Sequence, residues 1–158
     1  MISDLEDCSE TEIQQQIRYL HETPVREIGA PLQTRKWVLK RGSIRTLAAL
    51  GALKTEFGQI GPLIPTASDG ERKFRIAEIV PLLRSNSGVD DELLRTIEGL
   101  VDKDSRGEVT YNVMVLLQGS EYIVKDGNKR AIAFYERRRE STTHLIDFPV
   151  FVVQIAQT

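Results

Sequence analysis

The residues best suited to chemistry stand together in Tyr122-Ile123-Val124-Lys125-Asp126-Gly127-Asn128-Lys129-Arg130-Ala131-Ile132-Ala133. A strand-like apolar run meets Asp-Gly and passes at once into helix-forming residues. Gly127 permits a sharp turn and puts no side chain between the first helical N–H groups and an incoming anion. Those N–H groups, with the positive end of the helix dipole, attract phosphate or carboxylate. Lys129 and Arg130 add two cations, and arginine can grip phosphate oxygens in pairs. Asp126 can cap the helix, orient a cation or polarise a substrate hydroxyl. The same letters also make an ordinary turn before a capped helix, so both readings stand at this point.

Elsewhere the chemistry is thinner. His21 and His144 are the only histidines, and neither has a neighbouring arrangement of Cys, Asp or Glu that suggests a metal site. The single Cys8 excludes an internal disulfide, a four-thiolate zinc site and a Cys-x-x-Cys redox pair. Arg137-Arg138-Arg139 closes the helix that Asp126-Gly127 opens, where cations suit the dipole. Lys129 and Arg130 stand at one end and that arginine run at the other of a helix roughly 20 Å long, too far for one phosphate pocket but not for a nucleic-acid strand. Trp37, among Arg35, Lys36, Lys40 and Arg41, reads as a core tryptophan on an edge strand, with stacking on a base as the other use.

The elements that must position these residues follow from periodicity and punctuation. Ser9-Glu10-Thr11-Glu12 is a capping box, and Ile13, Ile17 and Leu20 continue at helical spacing until Pro24. Ser43 is placed to cap a second helix, Ile44 to about Phe57. Gly58, Gly61, Pro62 and Pro65 break regular structure, and Thr66–Gly70 reads as a loop and a boundary. Arg75–Val80 reads as a short strand-like or turn-leading run ended by Pro81. Asp90 caps a helix to about Val101. Val109–Leu117 and Glu121–Lys125 form a hairpin around Gly119, Gly127 to about Arg139 is a helix, and Phe148–Ile155 is a last strand. The expected fold class is α+β, with residues 1–70 a helical N-terminal extension (lid, dimer surface or partner site) and 71–158 the domain that holds the chemistry.

The 158 residues fit one compact domain with an appended segment, and 41% hydrophobic residues suffice for a core. Twenty-one Lys+Arg against 23 Asp+Glu leave a net charge of −2, against a surface built throughout to grip nucleic acid. No apolar run approaches the roughly 18–20 residues of a membrane span, and the acidic start is unlike a secretory signal. A cytoplasmic protein is expected.

From Phe74 to about Gln154 the pattern resembles the ParB/sulfiredoxin superfamily. The lead-in is Ile76-Ala77-Glu78-Ile79-Val80-Pro81, followed by the 90–101 helix, the 109–125 hairpin, the loop Asp126-Gly127-Asn128-Lys129-Arg130, its helix, and the closing strand Phe148–Val153. The resemblance implies a mixed sheet with flanking helices. Sulfiredoxins carry a reactive Cys within the loop; here Asn128 stands among the loop residues. Chromosome-partition members add a helix-turn-helix region and a dimerisation domain, whereas this chain stops soon after the closing strand.

The pattern is nearest to the stand-alone free serine kinases. That resemblance implies a nucleotide-dependent phosphotransferase acting on a small hydroxylated metabolite such as an amino acid. Asp126 would be catalytic, Gly127, Asn128, Lys129 and Arg130 would hold the phosphates of ATP or ADP (or CTP), and Mg²⁺ would accompany them. Those kinases place a catalytic Glu just after the lead-in Pro. Here Leu82, Leu83, Arg84, Ser85 and Asn86 follow, and Arg84 is the side chain placed to meet an anionic substrate. The other reading is a non-catalytic or nuclease-like ParB-like protein that binds nucleotide or DNA. Partners are thus a nucleotide and a small molecule, with DNA not favoured, no membrane, and a homodimer open. Fic-type AMP transferases share Asp126–Arg130, but their general-base His would fall at Tyr122, their Phe at Val124 and their second Arg at Ala133.

Overall fold

The computed structural model describes residues 2–16, 34–55, 74–85, 91–141 and 143–155. In chain order they form β1 (Ile2–Asp7), α1 (Glu10–Gln16), β2 (Trp37–Thr46), α2 (Leu47–Gly51), α3 (Ile76–Ser85), α4 (Asp91–Ser105), β3 (Val113–Gln118), β4 (Glu121–Asp126), α5 (Asn128–Arg138) and β5 (Leu145–Ile155). The strands make one five-stranded mixed sheet, ordered β1-β2-β5-β3-β4. β1 to β2, β2 to β5 and β3 to β4 are antiparallel, and β3 runs parallel to β5. The chain is therefore α+β, as expected.

Alternation along the strands splits the core between two faces. Ile44, Phe148, Val150, Val152, Val113, Val115 and Val124 pack under α2 to α5, joined by Leu50, Ile79, Ile97 and Ile132. On the other face Trp37, Leu39, Met114 and Val153 pack with Cys8 and with Ile13 of α1. Among the described residues no helix is long and apolar enough to cross a membrane.

The hairpin, the helix after Gly127 and the last strand form where the sequence predicts them, with ends shifted by a few residues. The 90–101 helix starts at Asp91 and runs on to Ser105; the Asp90 cap lies outside the described residues. The capping box also forms, reciprocally: Ser9 Oγ accepts from the Glu12 amide and Glu12 Oε1 from the Ser9 amide, each at 3.2 Å. Residues 17–20 of that predicted helix, and the 66–70 boundary, lie outside the described residues.

Four expectations are corrected. The described part of the segment 1–70 is not a helical extension: β1 and β2 are strands of the one sheet, and β2 lies between β1 and β5. The predicted 44–57 helix starts only at Leu47 and ends at Gly51, capped by Thr46, whose hydroxyl accepts from the Ala49 amide at 3.1 Å, and not by Ser43. Ile44 pairs with Phe148 instead, because in strand geometry it reaches the same face as the Phe148–Val152 core. β2 is also no edge, so Trp37 is a core residue of an inner strand, 1% exposed.

The run before Pro81 is likewise helical. Ile76, Ile79, Val80 and Leu83 fall at i, i+3, i+4 and i+7, and all are buried. Burying that stripe outweighs the one backbone hydrogen bond, to the Ala77 carbonyl, that Pro81 cannot make inside α3.

Candidate functional site: the turn from β4 into α5

β4 reaches the turn through a register slip. Val115 faces Val124 but Met114 faces Asp126, so Lys125 is an extra residue on the β4 side. Such a bulge bends a strand end and re-aims the side chains beyond it. Gly127 then takes φ 87°, ψ 23°, the left-handed region, and α5 begins at Asn128. A Cβ at Gly127 would lie 2.9 Å from Val113 Cγ2 and 3.2 Å from Val113 Cα, so both conformation and space require glycine there. The Gly127 carbonyl accepts the first helical bond, from the Ala131 amide at 2.9 Å. No side chain caps the helix start.

The five residues of the turn part into structural and exposed roles. Asn128 is 2% exposed and its Nδ2 donates to the Val124 carbonyl at 3.3 Å, tying the helix back to its strand. Arg130 pairs with Asp126 at 3.1 Å, one helical turn apart and both about three-quarters buried. The same guanidinium donates to the carbonyls of Thr110 at 3.3 Å and Asn112 at 3.4 Å, just before β3. Lys129 is exposed at the helix start. Arg130 is therefore engaged with protein oxygens, while Lys129 is the exposed cation of the turn.

Arg84 is not brought to this turn. It lies in the last turn of α3 and pairs with Glu136, about 9 Å further along α5 than Arg130. Glu136 also meets Arg139 Nε at 3.4 Å. The arginine run is accounted for by carboxylates: Arg137 and Arg138 reach Asp104 at 2.9 and 2.7 Å, and Arg139 meets Glu136 and Glu140.

Asp104 is the polar centre that sequence reasoning missed. It ends α4, its side chain is 5% exposed, and it accepts from Arg137, Arg138 and the Tyr111 hydroxyl. Burial pushes its carboxyl up, but the hydrogen bonds from Arg138, Tyr111 and Arg137 outweigh burial and hold it below the usual carboxylate range. Burial and the Asp104 carboxylate together push the Tyr111 hydroxyl up. The available signal was an aspartate in the last turn of a helix, where the dipole disfavours it unless cations meet it. The network fixes α4 against α5 and so holds the helix whose start forms the turn. Phe134 of α5 adds to this, with its ring 5.1 Å from Tyr111 and 4.7 Å from Phe148.

A hollow of about 820 Å³ opens at the other end of the sheet, around Val38, Lys40, Gly119 and Gln154, and a groove of about 460 Å³ runs between α3, α4 and α5. Residues 126–130 line neither. Among the described residues no three His, Cys, Asp or Glu side chains converge as a metal site. The Fic arrangement finds no support in the local backbone either, since Tyr122 and Val124 lie on a strand. Set against protein-family models, curated proteins and solved structures, the chain has no match.

Proposed function

We propose that this chain binds a nucleotide by its phosphates at the start of α5. The observation that carries the reading is a helix opening on Gly127 with no side-chain cap and with the Lys129 ammonium exposed beside it. Asn128 and Arg130 serve that site by fixing the turn to β4 and to the chain before β3. The order of helix, hairpin, Asp-Gly turn, helix and strand is the one a ParB/sulfiredoxin-like domain would have, and it supports the same reading. The protein would work in the cytoplasm with ATP, ADP or CTP.

Two outcomes follow from nucleotide binding. In the first the protein is a phosphotransferase acting on a small hydroxylated metabolite, with Asp126 nearest the reacting hydroxyl. In the second, non-catalytic or ParB-like DNA-associated, the nucleotide is held and not consumed. The Asp126–Arg130 pair favours the second, because a carboxylate held by a guanidinium is not free to turn towards a substrate hydroxyl. Mg²⁺ would arrive with the nucleotide, held mainly by phosphate oxygens and water. Asp126, the one carboxylate of the turn, could join it only by leaving Arg130.

The test is thermal unfolding with ATP, ADP, CTP and GTP, each with and without Mg²⁺, on wild type and Lys129→Ala. A nucleotide at 100 times its Kd should stabilise the fold by about 2.7 kcal/mol. A shift reduced in Lys129→Ala supports the site, and turnover with hydroxylated acceptors then separates the two outcomes. No shift with any nucleotide removes the reading.

A further inference from the structure

The groove between α3, α4 and α5 has a different chemistry from the turn. Its floor is apolar: Leu83, Leu94, Ile97 and Val101. Its polar groups stand at the rim, where Arg84 is closed onto Glu136 and where Glu98 and Asp102 are both exposed. A small-molecule site usually sets a few polar groups within the pocket to fix its ligand, whereas an apolar centre with a charged rim is the anatomy of a protein interface.

Glu98 and Asp102 carry the argument. They lie four residues apart on α4, about 6 Å along its axis, so two like charges face the same side one turn apart. That spacing destabilises a helix unless a cation meets it. Neither side chain has an ion-pair partner among the described residues. Of the cations on this helix and just past its end, Arg95 Nε donates to the Asp91 carbonyl at 3.4 Å, Arg106 pairs with Glu108 at 3.2 Å, and Lys103, one residue on from Asp102, leaves the helix on a different side. Arg137 and Arg138 of the facing helix are committed to Asp104.

We propose that this groove is the docking site for a basic amphipathic helix of a partner protein. Apolar side chains at i, i+3 and i+4 of the partner would fill the floor, and Lys or Arg residues one turn apart would meet Glu98 and Asp102. Docking relieves the repulsion along α4 and uses no residue of the β4–α5 turn, so it is independent of nucleotide binding.

The probe is a fluorescein-labelled 18-residue Leu/Lys amphipathic helix, with a Leu/Glu helix of the same apolar pattern as its counterpart. Anisotropy titrations are run on wild type, on Glu98→Lys/Asp102→Lys, and on Glu92→Lys, a carboxylate of α4 outside the groove. Wild type and Glu92→Lys should bind the basic helix, more weakly as salt rises, and should ignore the acidic one. The double variant should bind the basic helix about tenfold more weakly and gain affinity for the acidic one. Amide chemical-shift changes should gather on α4 and the last turn of α3. Absence of binding, equal binding by the double variant, or shifts centred elsewhere would overturn the proposal. So would a concentration-dependent dimer that the double variant abolishes, since a second copy of the chain would then occupy the groove.

Discussion

Asp126 and Arg130 hold each other at 3.1 Å across the first turn of α5, and the same guanidinium reaches the carbonyls of Thr110 and Asn112. One side chain thus joins the end of β4, the start of α5 and the approach to β3. Arg130→Ala should lower stability by about 1–2 kcal/mol, since charge-assisted bonds are lost but the freed carbonyls can still reach water. Lys129→Ala, at an exposed position, should leave stability within about 0.5 kcal/mol of wild type. Urea unfolding of the two variants checks the assignment: equal losses would mean that Arg130 is not the structural member of the pair.

Gly127 and Gly99 should respond in opposite directions to alanine. At Gly127 the methyl meets Val113 and the backbone sits at φ 87°, so the variant should lose roughly 1–3 kcal/mol. Gly99 lies within α4, and an added Cβ there has nothing within 4 Å, so alanine should add about 0.5–1 kcal/mol. Chemical denaturation of both reads the sign directly.

Asp104 makes stability depend on pH. Its carboxyl lies below the usual range in the fold, so its contribution is complete at neutral pH and is lost as pH falls through the ordinary carboxylate range, near 4, towards its folded value. Asp104→Asn should cost about 1–3 kcal/mol at pH 7, because Arg137 and Arg138 are partly exposed and keep some hydration. The gap between variant and wild type should narrow towards pH 3. A gap unchanged between pH 7 and 3 would assign the loss to packing.

Cys8 should be inert in the folded protein. Burial, with the Glu12 carboxylate nearby, pushes its thiol up to about 11, so little thiolate exists at pH 8. Reaction with a chromogenic disulfide should be slow in buffer and complete in denaturant, tracking the unfolding curve. Rapid reaction of the native protein would show that α1 opens readily from the sheet.

What was legible in the sequence follows the strength of local punctuation. Gly119 and Gly127, with apolar runs on either side, mark the hairpin and the strand-to-helix turn, and Ser9 with Glu12 marks α1. The element that failed worst, Ile44–Phe57, contains a true helical spacing at Leu47, Leu50 and Leu53, which hides the strand that precedes it. Only the partner reveals that strand, since Lys40, Gly42 and Ile44 face Val152, Val150 and Phe148. β1 is polar and acidic, an edge strand with little apolar pattern to read. At the candidate site the residue types were legible, but the division of labour was not. Nothing in Asp126-Gly127-Asn128-Lys129-Arg130 says that Arg130 turns inward to Thr110 and Asn112 while Lys129 stays exposed.

The position of β5 governs when this protein can fold. It lies at the centre of the sheet, flanked by β2 on one side and β3 on the other, yet follows every other described element in the chain. On the ribosome β1, β2 and the β3–β4 hairpin emerge first as two separate fragments, each with an open edge beside the place β5 will take. Apart from the backbone bonds of Lys54 to Tyr122 and Val124, they are joined through residues 145–155, with Trp37 brought opposite Ile155 across most of the chain. Assembly is therefore a late, single closure governed by distant contacts, slow by topology and exposed to aggregation while nascent chains wait with their middle strand missing.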